Sequence, residues 1–123
     1  MQRKIERHRN SIYMTEEDGL DEANTVVIAY GATARAARHA VKLARQRRHK
    51  TGLLVVITVW PFPEEVVCRL AHTAKRIVVP EMNLGQLAIE VERLAGRNKV
   101  VRVNRANGEM ITPQMILQAI EGH

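Results

Sequence analysis

The stretch TVVIAYGATARAARHAVKLARQRRHKTGLLVVITV, residues 25–59, holds one complete copy of the unit from which the rest of the chain is built. TVVIAY at 25–30 is a continuous β-branched run rather than an alternating one, which marks a strand buried on both faces. Gly31, Ala32 and Thr33 then make a tight strand-to-helix turn, with Thr33 as the expected N-cap. Ala34, Ala37, Ala40, Val41 and Ala44 follow at spacings of three and four, the period of a helix lying on a core. A second apolar run, LLVVITV at 53–59, comes after Gly52. Strand, helix and strand in this order form a crossover unit with parallel strands.

The same rhythm continues on the C-terminal side. After Trp60 the segment PFPEE gives a following helix a proline and two carboxylates for its first turn, and Val66, Val67, Leu70 and Ala71 line it. RIVVP at 76–80 is the next strand, and Leu84, Leu87, Ala88, Val91 and Leu94 stripe the next helix. VVRV at 100–103 is the fourth buried strand, and Thr112 with Pro113 opens a last helix carrying Met115, Ile116, Ala119 and Ile120. Four such strands, each followed by a helix, predict an α/β fold: a three-layer α/β/α sandwich around a mostly parallel sheet.

Residues 1–24 differ in character. They hold four basic and six acidic residues, which leaves fifteen basic and seven acidic, a charge of +8, to residues 25–123. We expect a lead-in over 1–24, with a short helix over Arg3–Asn10 and a candidate edge strand over Ser11–Thr15 before the turn-rich EEDGLDEAN, and the α/β domain over 25–123.

Composition sets the outer limits. The chain has 123 residues and a net charge of +6, with 46% hydrophobic and 26% charged residues, which suits one globular domain and excludes extensive disorder. No run nears the roughly 18 apolar residues of a membrane span, and the polar start MQRKIERHRN leads into no hydrophobic signal segment, so a cytoplasmic location is expected. The single cysteine, Cys68, cannot form an intrachain disulfide or supply a four-thiolate centre, and the five histidines lack metal-ligand spacing. Cys68 lies beside Val67 and Ala71 and reads as a packed thiol; His72 has no partner as a base, and His39 falls on the solvent side of a basic helix.

In an open α/β sheet, ligands and partners meet the loops beyond the carboxyl ends of the strands. GATA at 31–34 is neither GxGxxG nor a phosphate-wrapping P-loop. PEMNLG at 80–85 is the most polar of these loops, with Glu81 and Asn83 about Met82 and a Gly85 that admits a left-handed backbone; it serves either as a helix cap or as a contact loop for another domain. A lone Glu81 without a second carboxylate or a nucleophile in its motif gives catalysis little support. Trp60 beside Phe62 either closes the core or anchors an interface. Arg35, Arg38, Lys42 and Arg45 share one helix face, and no acidic residue occurs between 33 and 50. That face is solvated, meets an acidic partner or contacts phosphates; the lack of an aromatic platform or a groove-reading motif disfavours nucleic acid.

VVIAYGATAR at 26–35, GLLVVITVWPFPEE at 52–65, IVVPEMNLGQL at 77–87 and VNRANGEMITPQMIL at 103–117, taken in this order, resemble the end of the alpha subunit of 2-oxoacid:ferredoxin oxidoreductases, most closely the 2-oxoglutarate type. The resemblance covers nearly the whole chain, including RKIERHRN at 3–10; WPFP and PEMNLGQ are its most specific motifs, and Ala32 stands where the family pattern has a serine. It implies a transketolase C-terminal-like domain, with a five-stranded sheet whose first strand is antiparallel. It further implies a complex that oxidatively decarboxylates a 2-oxoacid with thiamine diphosphate and magnesium, forms an acyl-coenzyme A and passes electrons through iron–sulfur clusters to ferredoxin. This chain lacks a GDG segment for the thiamine diphosphate metal and has one cysteine, so it is expected to bind none of these groups alone, to be inactive by itself and to be a piece of a longer alpha subunit. Its expected partners are an upstream pyrimidine-binding domain and a thiamine diphosphate-binding beta subunit. Its expected contact residues are Thr33, Trp60, Phe62, Glu81, Asn83, Leu84 and Gly85. Two other classes stay open at this stage: a free-standing basic module binding RNA or an acidic protein through the Arg35 face, and a small enzyme built on Glu81.

Overall fold

The β-branched runs lie side by side as strands, and their residues sort alternately onto the two faces of one sheet. A computed structural model describes residues 4–7, 14–57, 62–81, 86–104 and 110–122, with side chains from residue 15 onward. The strands are β1 (Lys4–Arg7), β2 (Met14–Asp18), β3 (Thr25–Tyr30), β4 (Thr51–Val56), β5 (Arg76–Glu81) and β6 (Val100–Asn104). The helices are α1 (Thr33–Gln46), α2 (Glu64–Thr73), α3 (Gln86–Ala95) and α4 (Pro113–Glu121). The sheet order is β1-β2-β4-β3-β5-β6; β4, β3, β5 and β6 run parallel, while β2 runs antiparallel to both of its neighbours, β1 and β4.

Val26 and Ile28, Leu54 and Val56, and Ile77 and Val79 face a core completed by Val66, Val67 and Leu70 of α2 and Leu87, Ala88 and Val91 of α3. Their neighbours Val27, Ala29, Leu53, Val55 and Val78 face a second core with Ala37, Ala40, Val41 and Ala44 of α1 and Ile116, Leu117 and Ile120 of α4. This is the expected three-layer α/β/α sandwich, and the alternation follows from the period of two along a strand. The fully buried large side chains Ile28, Leu54, Ile77, Leu87 and Ile116 each contribute roughly 1.5–3 kcal/mol by leaving water.

The five expected strands are present, and a sixth lies outside them. The antiparallel strand expected over Ser11–Thr15 is β2, centred three residues later, and residues 11–13 lie outside the described residues. The expected helix over Arg3–Asn10 is corrected: Lys4–Arg7 is a strand, registered Lys4 to Glu17 and Arg7 to Met14. KIER alone can form a helical turn; the unpaired edge that β2 offers decides for the strand, because its N–H and C=O groups gain ladder partners.

The alternation of β2 also explains the charge difference between the lead-in and the body. Glu16 pairs with Arg38 of α1 at 2.7 Å and Asp18 with Arg45 of α1 at 3.3 Å, whereas Glu17, on the other face, pairs with Arg69 of α2 at 2.6 Å. The acidic turn after β2 is anchored by Leu20 and Ala23, both buried in the α2–α3 core. A Cβ on Gly52 would stand 2.8 Å from the Gly19 carbonyl oxygen, so the turn rests directly on the start of β4.

Two helix starts differ in kind. Thr112 caps α4 as expected, its hydroxyl accepting from the Met115 N–H at 3.3 Å with Pro113 in the first turn. Thr33 does not cap α1: Ala32 occupies that position in αR conformation, and the Thr33 hydroxyl donates back to the Tyr30 carbonyl at 3.0 Å. The left-handed Gly31, at φ +64°, turns the chain sharply enough to bring the hydroxyl to the strand end rather than to the helix N–H groups.

Candidate functional site

Parallel crossover units place the carboxyl ends of β3, β4, β5 and β6 and the N-termini of all four helices at one end of the sheet. The chain moves from β3 outward to β4, then returns past β3 to β5, and this reversal leaves a crevice between the ends of β3 and β5. Tyr30 ends one strand and Glu81 the other.

Glu81 is 8% exposed, an unusual state for a carboxylate. Its Oε1 accepts the Leu87 main-chain N–H at 2.5 Å, in the first turn of α3, a helix with no acidic residue of its own there. That bond satisfies one of the N–H groups that a helix leaves without a partner in its first turn. Oε2 is fully buried and has no hydrogen-bond partner among the described residues.

At the same end of the sheet, Tyr30 at the end of β3 is 40% exposed, Ile57 just after β4 42% and Met110 just before α4 68%. These three were missed from the sequence, although Tyr30 and Ile57 stand at and just beyond the carboxyl ends of buried runs, a position that itself selects them; Met110, just before α4, carries no such signal. Two residues expected to make contacts face inward instead. Phe62 packs in the α2–α3 core and Thr33 is buried under its bond to Tyr30, so neither offers a side chain to a partner. Trp60, Asn83, Leu84 and Gly85 lie outside the described residues.

The basic face of α1 is divided by its own chain. Arg38 and Arg45 are held by Glu16 and Asp18, and Arg45 also donates to the Thr51 and Asp18 carbonyls, while Arg35 and Lys42 line a groove of about 550 Å³ beside β2. Half of the stripe is thus neutralised within the domain. At the opposite end of α1, Arg47 grips both oxygens of Glu121 at 3.0 and 2.9 Å and His49 approaches one at 3.2 Å, and the Arg47 guanidinium holds the Glu121 carboxyl below its ordinary range. On the outer surface of α3, Arg93 joins Glu64 of α2 to Glu90, and Arg102 of β6 grips Glu92, holding that carboxyl low as well.

Among the described residues no three of His, Cys, Asp and Glu converge as metal ligands, and Cys68 stands half-buried on α2. The donor set does not fit an iron–sulfur cluster, which needs about four thiolates. No described helix is long and apolar enough to cross a membrane.

Comparison with known proteins agrees with this geometry. Residues 23–116 match the family described as pyruvate:ferredoxin oxidoreductase core domain II. The chain is 38% identical over 120 residues to the 2-oxoglutarate synthase subunit KorA of Methanothermobacter marburgensis, covering 97% of this chain and 32% of that protein. It therefore spans about a third of the length of the curated relative it matches. The fold is that of a chain of the 2-oxoglutarate:ferredoxin oxidoreductase from Magnetococcus marinus, solved with 2-oxoglutarate, coenzyme A and succinyl-CoA bound (TM-score 0.75, 23% identity, 93% of this chain and 19% of that one). It is also that of a split-gene transketolase (TM-score 0.71, 18% identity, 82% of this chain and 38% of that one). With the sandwich, the strand-end crevice and these matches in agreement, the chain belongs to the pyruvate:ferredoxin oxidoreductase core domain II family.

Proposed function

We propose that this chain is the C-terminal, transketolase-like domain of the alpha subunit of a 2-oxoacid:ferredoxin oxidoreductase of the 2-oxoglutarate type, and that its task is packing and assembly. Residues 25–123 form the domain, and the lead-in over 1–24 extends its sheet. The strand-end face is the contact surface, with Glu81, Tyr30, Ile57 and Met110 joined by Trp60, Asn83, Leu84 and Gly85. It meets the upstream pyrimidine-binding domain and the thiamine diphosphate-binding beta subunit. Thiamine diphosphate, magnesium, coenzyme A and iron–sulfur clusters belong to the complex, which decarboxylates the 2-oxoacid to an acyl-coenzyme A and reduces ferredoxin in the cytoplasm; the chain alone is inactive.

The observation that carries this is that three of the four exposed large apolar side chains among the described residues, Tyr30, Ile57 and Met110, lie at the end of the sheet where strands lead into helices, at the end of β3, just after β4 and just before α4. A basic module for RNA is disfavoured because Glu16 and Asp18 neutralise Arg38 and Arg45. The test is to co-express the chain with the companion subunits and replace Tyr30 and Met110 together by Ser. We expect association to weaken about tenfold or more, beyond what any fall in the chain's own unfolding midpoint explains, since Met110 is 68% and Tyr30 40% exposed in the unpartnered chain. Unchanged association would remove this face from the interface.

A further inference from the structure

The start of α1 breaks a rule that the start of α4 keeps. Thr112 gives its hydroxyl to the first turn of its own helix, whereas α1 begins at Ala32 with no side-chain cap and no acidic residue in its first turn. A hydroxyl is at hand on Thr33, yet it turns back to the strand: it donates to the Tyr30 carbonyl at 3.0 Å and accepts the Tyr30 N–H at 3.4 Å. One side chain, 3% exposed, thus holds both main-chain groups of one residue, and the Ala34 N–H closes the turn on the Gly31 carbonyl at 3.1 Å. A carboxylate could not do this, because it has no proton for the Tyr30 carbonyl. Tyr30 is also where β3 needs such support. On one edge it is registered with Val56, the last residue of β4, but on the other the register with β5 runs Thr25–Val27 to Arg76–Val78 and stops three residues short of it.

We propose that Thr33 is a positioning residue, which holds Tyr30 in place before docking as an anchor for the companion subunits at the strand-end face. This rests on the assembly function proposed above and adds which residue bears the contact and what fixes it. Tyr30 is 40% exposed, so its ring is open to a partner, while Thr33 is inside and acts only through it. A tyrosine has two side-chain torsions, and with its main chain clamped little freedom is left to lose on docking. The surface it fits is an apolar recess with a hydrogen-bonding group for the phenol hydroxyl at its far end. A local rule of helix stability is broken at α1 in favour of the strand end, the pattern expected where a contact residue must be rigid.

The test uses the chain co-expressed with its companion subunits. It compares Thr33→Val, which keeps the shape and removes the hydroxyl, Thr33→Ser, which keeps the hydroxyl, and Tyr30→Ser alone and combined with Thr33→Val. We expect Thr33→Val to raise the dissociation constant about two- to tenfold, the range set by ordering one side chain on docking, and Thr33→Ser to stay close to wild type. In the Tyr30→Ser background Thr33→Val should add nothing, because the residue it positions is gone. In the unpartnered chain the Tyr30 N–H should exchange with solvent about tenfold faster or more in Thr33→Val, while the N–H groups of Val26 and Ile28 keep their rates. An unchanged dissociation constant for Thr33→Val overturns the proposal. So does an equal loss in the Tyr30→Ser background, which would show Thr33 acting through the stability of the fold alone. Should Thr33→Val not fold, the unpartnered wild type decides: a Tyr30 N–H exchanging at the rate of an open amide overturns the proposal, and a protected one that Thr33→Ala releases upholds it. If Tyr30→Ser weakens association and Thr33→Val does not, the positioning falls and the interface stands. If Tyr30→Ser has no effect, the anchor falls, and Tyr30→Ser with Met110→Ser still decides the assembly function.

Discussion

Glu16 of β2 and Arg38 of α1 stand 2.7 Å apart, 22 positions apart in sequence, and join the acidic lead-in to the basic body. Their side chains are 20% and 31% exposed, so the pair lies between a surface bridge and a buried one. A double-mutant cycle with Glu16→Gln and Arg38→Met should give a coupling of about 0.5–1 kcal/mol in urea unfolding, shrinking as salt is raised.

Core substitutions should separate sharply from this. Ile28 is fully buried in the central strand, and Ile28→Ala should lower stability by about 2–5 kcal/mol, moving the urea midpoint with little change in slope. Ile89→Ala on the outer face of α3, where the side chain is 53% exposed, should change it by less than about 0.5 kcal/mol.

Two glycines should respond differently to alanine. Gly52→Ala places a methyl 2.8 Å from the Gly19 carbonyl, forces the acidic turn off β4 and should cost about 1–3 kcal/mol. Gly31 has open space around its would-be Cβ and a φ of +64°, so Gly31→Ala should cost about 1–2 kcal/mol of backbone strain, and Gly31→Asn less. Comparison of the three unfolding midpoints checks both.

Acid sensitivity has a defined sign. Glu121, held low by Arg47, and Glu92, held low by Arg102, bind fewer protons folded than unfolded, so their contribution is complete above the ordinary carboxylate range and is lost as pH falls through the depressed values. The thermal midpoint of wild type should therefore drop on acidification through that window, and Glu121→Gln should drop less over the same interval while starting lower at neutral pH. Equal slopes would show that the clasp does not hold the ends of α1 and α4 together in solution.

The sequence made the body of this fold legible because the signal there is redundant: β-branched runs, helical alanine spacing and the Thr112–Pro113 start all agree. The lead-in was harder. KIER carries no hydrophobic period, and its strand state depends on an edge supplied by residues ten positions on, a tertiary effect that local pattern does not contain. At the site, Glu81 stood out in the sequence by its position after a buried run, but its bond to Leu87 and its unpaired oxygen are properties of three-dimensional placement. Of the two roles the sequence leaves open for the segment at Phe62, core closure and interface anchor, its burial in the α2–α3 core matches the first, and the pattern around a proline-flanked aromatic does not choose between them.

The two cores beneath this sheet also differ in bulk. Ile28 and Ile77 point to the α2–α3 side, while their neighbours Ala29 and Val78 point to the α1–α4 side, where α1 offers mainly alanines. In a sheet with one wet face, a strand that slips by one residue is rejected because it drowns its apolar side chains. Here a slip would cost little polarity between the strand ends, since both faces are greasy there. What holds β3 and β5 in place is size: a shifted strand would push isoleucines into the space cut for alanine and leave holes opposite. Drift in this family should therefore tolerate exchanges among apolar residues of one volume at these positions and resist paired swaps between adjacent ones, even though hydrophobicity scores would rate the two alike.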